Sequence, residues 1–205
     1  METLTGAGYR VVGLDCRGHG TSDKPHDPAA YALEVMAADV RRLLDHLEIK
    51  VANYIGYSMG ARIGVQAMLD FPNRLRHVVL GGLGWGGAFH AADEIARALR
   101  GEPATSPVAK SFYEFATAQR SNDLEALAAC ILGQQPEVDP LALGSIAIPT
   151  LIVVGEKDDI VDEVPRLVES IPTARLVTVP GRNHMSVITA KEFKQAALDF
   201  LGGDD

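Results

Sequence analysis

The sequence predicts an α/β fold, with a mostly parallel sheet, helices on both faces and a helical insertion. Three observations predict it. Short aliphatic runs alternate with helical periodicity over most of the chain, one region carries helical patterns alone, and a G-x-S-x-G pentapeptide lies where a strand gives way to a helix. Parallel strands need long crossovers, which are mostly helices, so this alternation reads as a sheet covered on its faces.

Taken in order, Tyr9 to Asp15 reads as the first strand. The segment after it sets Met36, Val40, Leu43, Leu44 and Leu47 at i, i+4, i+7, i+8 and i+11, one apolar stripe of a helix. Val51 to Ile55 is the second strand, followed by a helix with Ile63, Ala67 and Met68. His77 to Leu80 is the third. Residues 86–145 then hold helical patterns at Ile95 to Leu99, Phe112 to Ala118 and Leu124 to Leu132 with no convincing strand, so the expected division is a core of 1–85 and 146–205 with a helical insertion at 86–145. Strands resume at Thr150 to Val154 and Arg175 to Val179. Phe193, Ala196, Ala197, Phe200 and Leu201 close the chain with a second apolar helical stripe.

Composition narrows the function classes. The 205 residues suit one domain with a modest insertion, and 47% apolar against 22% charged residues is ordinary for a globular chain. No apolar run reaches membrane-spanning length, so no membrane partner is expected. A formal net charge of −8 without any Lys/Arg cluster argues against nucleic acid. Cys16 and Cys130 are too few and too far apart for a disulfide framework or a metal knuckle, which fits a reducing cytoplasm. With no H-E-x-x-H and no ligand cluster, neither metal nor cofactor is expected. GLGWGG at 82–87 does satisfy G-x-G-x-x-G after a strand, but GEPATSPVAK supplies neither the second strand nor the acidic residue that a dinucleotide site requires.

The chemistry gathers at YIGYSMGARIGVQAM, residues 54–68. Ser58 has two readings there, an N-cap for the following helix or a nucleophile on a strained strand-to-helix turn flanked by Gly56 and Gly60. A base and an acid elsewhere decide between them. His184, in VPGRNHMSV, follows the last strand, and Asp158, in LIVVGEKDDIV, follows the strand before it. Ligands of open α/β sheets sit at the C-terminal ends of strands, so Ser58, Asp158 and His184 stand at equivalent positions in the order serine, acid, histidine. Asp159 and Asp162 compete with Asp158. His46 and His77 read as solvated or packed side chains, and His26 and His90 lie in no motif.

With DCRGHGTSDKP at 15–25, GYSMG, GEKD and GRNH in place, the sequence resembles the α/β-hydrolase family of serine esterase type over essentially its whole length. The resemblance implies a serine hydrolase that cleaves a carboxylic ester or related acyl bond through an acyl-enzyme, and makes the insertion at 86–145 look like the family's small helical cap. Asp158, three residues after Gly155, becomes the acid, and the backbone N–H of Met59 an oxyanion donor. A catalytically impaired or non-enzymatic binding paralogue is the alternative. Trp85, Phe89, Phe112 and Phe115 are expected to supply a pocket for an apolar, uncharged acyl or alcohol portion of a small-molecule substrate, and Arg17 and His19 leave room for a polar group. The front departs from the family. Only METLTGAG precedes Tyr9, so three strands and the loop with the second oxyanion donor have no counterpart, and a start at an internal methionine of a longer protein is expected. Tyr9 to Asp15 should then either pair directly with Val51 to Ile55 or leave an open slot beside it.

Overall fold

A computed structural model describes residues 2–85, 91–134 and 140–203. Phe89, His90 and the last two residues of GLGWGG lie outside the described residues. The elements run α1 (Glu2–Gly6), α2 (Leu33–His46), β1 (Ala52–Tyr57), α3 (Met59–Asp70), β2 (Leu75–Gly81), α4 (Ala92–Leu99), α5 (Pro107–Ala118), α6 (Leu124–Gly133), α7 (Pro140–Leu143), β3 (Thr150–Gly155), α8 (Val164–Ser170), β4 (Ala174–Val179), α9 (His184–Val187) and α10 (Lys191–Gly202). They fall into two compact units, residues 1–13, 40–85 and 138–205 in one, 14–39 and 86–137 in the other.

The first unit holds the sheet, four strands in the order β1-β2-β3-β4, every neighbouring pair parallel. All six residues of β3 are buried, and β2 exposes only Arg76, as a strand covered on both faces requires. Alternation along β2 separates the faces. Val79 joins Leu151, Val153 and Val179 in a cluster with Phe193, Ala197 and Leu201 of α10. Leu80 faces the other way, with Leu80 Cδ2 lying 2.9 Å from where a Cβ on Gly64 of α3 would stand. Helices therefore cover both faces.

Tyr9 to Asp15 is not a strand. Tyr9 packs with Leu4 on the α10 face of the core, but residues 10–15 enter no ladder, and Val12 and Leu14 are 42% and 38% exposed. The aliphatic composition reads as β, yet an isolated extended segment gains no ladder hydrogen bonds and keeps its backbone polar groups on water. Direct pairing with residues 51–55 does not occur. β1 has no neighbour on its outer side among the described residues, and Val51 and Ile55 are exposed there.

The second unit is helical. Ile95, Ala96 and Leu99 of α4, Ala109 and Ala116 of α5 and Ala128 of α6 form its core. Side chains cap two of its helices: Ser106 accepts from the Ala109 N–H at 3.2 Å and Asp123 from the Ala126 N–H at 3.0 Å. The loop that begins at Leu14 is pinned within this unit by Arg17, whose fork grips Asp39 at 2.7 and 2.9 Å and whose third nitrogen donates to the Ala30 carbonyl at 2.7 Å.

Candidate active site

Ser58 sits between β1 and α3 with φ 50° and ψ −109°, a backbone conformation that a residue with a Cβ adopts only under strain. Its N–H donates to the Gly81 carbonyl at 2.8 Å, which ties the turn to the end of β2, and its carbonyl accepts from Ala61 at 3.0 Å and Arg62 at 3.1 Å to start the helix. The hydroxyl makes no capping hydrogen bond, so the N-cap reading of Ser58 fails at the side chain. The turn needs Gly56, because a Cβ there would run into the Gly60 carbonyl. Gly60 differs from expectation. A Cβ on it would meet only the Tyr54 hydroxyl, at 4.0 Å, so its side is not closed by outside atoms.

Asp158 and His184 come from the loops after β3 and β4. These loops are stitched together: Glu156 N–H donates to Val179 O at 3.0 Å and Lys157 N–H to Arg182 O at 2.8 Å. A Cβ on Gly155 would collide with the Arg182 carbonyl, which gives the glycine of GEKD its physical reason. His184 opens α9 behind a capping box, with Asn183 Oδ1 accepting from the Ser186 N–H and Ser186 Oγ from the Asn183 N–H, both at 3.0 Å.

The three side chains meet. Asp158 Oδ2 lies 2.9 Å from His184 Nδ1, and His184 Nε2 lies 3.0 Å from Ser58 Oγ. Asp158 and His184 are 0% and 5% exposed at the side chain. The second carboxylate oxygen of Asp158 accepts from the Ile160 N–H at 3.1 Å, so the acid is fixed from both sides. Asp159 and Asp162 are exposed. In this arrangement Nδ1–H donates to the carboxylate, and Nε2 is the acceptor that faces the serine hydroxyl.

One residue of the site escaped the sequence reading. Tyr57, the variable position before Ser58, donates its hydroxyl to the backbone carbonyl of His184. Its ring lies against the imidazole, with centroids 5.2 Å apart, and edge-on to Phe193 at 6.2 Å. Burial, and then the charge of Asp158, push the Tyr57 phenol well above its usual range, so it stays protonated and keeps donating. The signal was its place in the pentapeptide, but only the fold brings residue 57 to residue 184.

The remaining expected residues separate. Met59 is the first residue of α3, where helix N–H groups point outward and favour negative charge. Trp85 is half-buried. Its backbone N–H donates to the Asp162 carbonyl at 2.8 Å and its ring carries the Arg166 guanidinium 4.2 Å from the centroid. Phe112 packs in the helical unit's core and Phe115 is 67% exposed. Arg17 is committed to Asp39, and His19 Nδ1 lies 3.1 Å from the Arg17 carbonyl. His77 is buried and edge-on to Phe200 at 5.5 Å, so it packs. Among the described residues no group of His, Cys, Asp and Glu is arranged to hold a metal, and no helix is long and apolar enough to cross a membrane.

A family model described as alpha/beta hydrolase fold matches residues 1–135. The 2-hydroxy-6-oxononadienedioate/2-hydroxy-6-oxononatrienedioate hydrolase of Cupriavidus pinatubonensis is 28% identical, over 98% of this chain and 79% of that protein. The 3-oxoadipate enol-lactonase 2 of Acinetobacter baylyi is 30% identical, over 74% of this chain and 62% of its own length. Among solved structures, a hydrolase from Pseudomonas aeruginosa superposes with a TM-score of 0.75 at 28% identity, covering 92% of this chain and 78% of that one. The enol-lactonase from Burkholderia xenovorans gives 0.77 at 24% identity, covering 92% and 79%.

Proposed function

This chain belongs to the α/β-hydrolase fold family and is a hydrolase of that type, and from that premise we propose that it cleaves a carboxylic ester or related acyl bond with Ser58 as nucleophile, His184 as base and Asp158 as the acid that orients it. The observation that carries this reading is the unbroken hydrogen-bonded line from Asp158 through His184 to Ser58, at 2.9 and 3.0 Å, on a serine whose strained backbone presents it away from the helix it starts.

Ser58 Oγ attacks the acyl carbon as its proton passes to His184 Nε2, and Asp158 holds the Nδ1–H tautomer and stabilises the imidazolium. The bond to the leaving group breaks when His184 returns that proton to it. Water, deprotonated in turn by His184, then releases the acid and restores Ser58. The Met59 N–H is assigned to the developing oxyanion, where one such donor contributes about 10² to 10³ in rate. The substrate is a small molecule, and Trp85 is the residue we assign to its apolar acyl portion. The hydrolase and the enol-lactonase among the similar proteins bring lactones within the range of acyl bonds to test.

Labelling with a fluorophosphonate tests the nucleophile. Wild-type protein should label and Ser58→Ala should not, with hydrolysis of p-nitrophenyl esters lost in parallel; labelling that persists in Ser58→Ala overturns the assignment.

A further inference from the structure

The three residues of the proposed triad leave different strands of one sheet, Ser58 after β1, Asp158 after β3 and His184 after β4, in the strand order β1-β2-β3-β4. Neighbouring strands lie about 4.8 Å apart, so the end of β4 is about 14 Å from that of β1, and the histidine must cross the ends of β3 and β2 to meet the serine. Each of those ends is kept bare. A Cβ on Gly155, which closes β3, would collide with the Arg182 carbonyl of the crossing loop. Gly82, just past β2, has φ 60°, and a Cβ on it would stand 2.7 Å from Tyr57 Cζ, 2.8 Å from the Tyr57 hydroxyl and 3.0 Å from His184 Cε1.

Residues 81–85 touch all three segments. The Gly81 carbonyl accepts from the Ser58 N–H at 2.8 Å, Gly82 lies against the imidazole at Cε1, and the Trp85 backbone N–H donates at 2.8 Å to the carbonyl of Asp162, in the loop that carries Asp158. A Cβ on Gly84 would run into that same carbonyl. The run is itself fixed to the sheet, since the Gly82 N–H donates to Val153 O at 2.9 Å. A left-handed φ at one position and a close approach at both are what glycine permits, so the first two glycines of GLGWGG have a physical reason that involves no dinucleotide.

We propose that residues 81–85 are a template that positions the triad, with Gly82 the seat of the His184 imidazole and Gly84 the residue that admits the acid loop. The inference rests on Ser58 and His184 as nucleophile and base and adds what sets their separation. A side chain at 82 would displace the imidazole from its place between Asp158 Oδ2 and Ser58 Oγ, 2.9 and 3.0 Å away. Gly82 is thereby a positioning residue with no part in proton transfer.

Gly82→Ala tests the seat, with Gly101→Ala as its control. Gly101 has φ 98° in the helical unit, where a Cβ would meet nothing within 4 Å among the described residues. Both variants carry the cost of a left-handed backbone, and only the first carries the collision. With p-nitrophenyl acetate, Gly82→Ala should lower kcat by about 10² with KM changed less than about threefold, and Gly101→Ala should leave both within about twofold. Gly84→Ala, which presses on the acid loop, should lower kcat by about tenfold or more. The proton on His184 Nδ1, held by a carboxylate, supplies a downfield NMR resonance independent of turnover; it should move in Gly82→Ala and stay in Gly101→Ala. Tyr57→Ala removes the phenol as a collision partner and leaves His184 Cε1, so adding Gly82→Ala to it should still lower kcat by about tenfold, which tests the seat even where the single variant does not fold. A kcat in Gly82→Ala equal to that of Gly101→Ala, a loss of kcat with an unmoved resonance, or a wild-type kcat in Gly84→Ala would overturn the template. A resonance displaced by Gly82→Ala in a protein whose Ser58 does not label with a fluorophosphonate would retain the seat and reject the nucleophile. Labelling of Ser58 at one rate in wild type and Gly82→Ala does the reverse.

Discussion

At Ser58 the backbone conformation separates the proposed nucleophile from a helix cap. A cap serine turns its oxygen onto the first helical N–H groups, whereas Ser58, at φ 50°, aims its hydroxyl at His184. Gly56 makes that turn possible, since a Cβ there would enter the Gly60 carbonyl. Gly56→Ala should therefore slow fluorophosphonate labelling strongly and lower stability by about 1 to 3 kcal/mol, measured by denaturant unfolding. Of the neighbouring acids, Asp158 has its carboxylate 2.9 Å from the imidazole. Asp158→Asn should lower kcat by about 10⁴, as loss of the orienting carboxylate favours the wrong tautomer, and the exposed Asp159→Asn should change it less than threefold. Equal losses in the two variants would contradict the geometry. Tyr57 holds the backbone carbonyl of His184, so under the proposed mechanism Tyr57→Phe should lower kcat by about tenfold with little change in KM, a split that simple destabilisation would not produce.

The elements behind these residues are held by local chemistry. The capping box at Asn183 and Ser186 starts α9 at His184, and Asn183→Ala should cost about 0.5 to 2 kcal/mol and lower kcat through a less fixed imidazole. In the helical unit Glu94 of α4 takes the place of a partner strand for the loop before α5, accepting from Thr105 N–H at 2.7 Å, Thr105 Oγ at 2.6 Å and Ser106 N–H at 2.8 Å. Hydrogen bonds from Ser106 and then Thr105 hold the Glu94 carboxyl down to about 2. A carboxyl depressed in the folded state contributes stability above its unfolded pKa and loses it as the pH falls toward the folded value. The Tm difference between wild type and Glu94→Gln should accordingly be full at pH 6 and shrink steadily from about pH 4.5 to about pH 2; a difference independent of pH would show that the carboxylate charge contributes nothing.

At the scale of the molecule, β3 carries the packing, because it lies between two strands and is buried along its whole length. Ile152, wholly buried, cannot lose its side chain without leaving a cavity. Ile152→Ala should cost about 2 to 5 kcal/mol, whereas Ile188→Ala, at an exposed position, should stay within about 0.5 kcal/mol. Calorimetry of the two variants checks the contrast. β1 is the sheet's outer strand among the described residues, with Ile55 and Val51 facing water. Ile55→Lys should therefore fold as well as wild type and resist aggregation better, since a charge on an exposed edge blocks further strand pairing.

The sequence by itself determined the elements whose signals are local. The four strands of the sheet, the stripes of α2 and α10 and the helices α4, α5 and α6 follow from periodicity, and the candidacy of Ser58, Asp158 and His184 from their positions just past strand ends. Tertiary structure alone decided what depends on a partner distant in the chain. Tyr9 to Asp15 has the composition of a strand, but a ladder needs a neighbour, and none accompanies it in the described residues. Asp158 is favoured over Asp159 in the sequence only by its spacing from Gly155, whereas the fold puts its carboxylate 2.9 Å from the imidazole. Tyr57 shows in the sequence only as the residue before Ser58, because its contact is with a carbonyl 127 residues away. Periodicity reports how a segment folds on itself, while burial and hydrogen-bond satisfaction are properties of surfaces that meet only after the chain has closed.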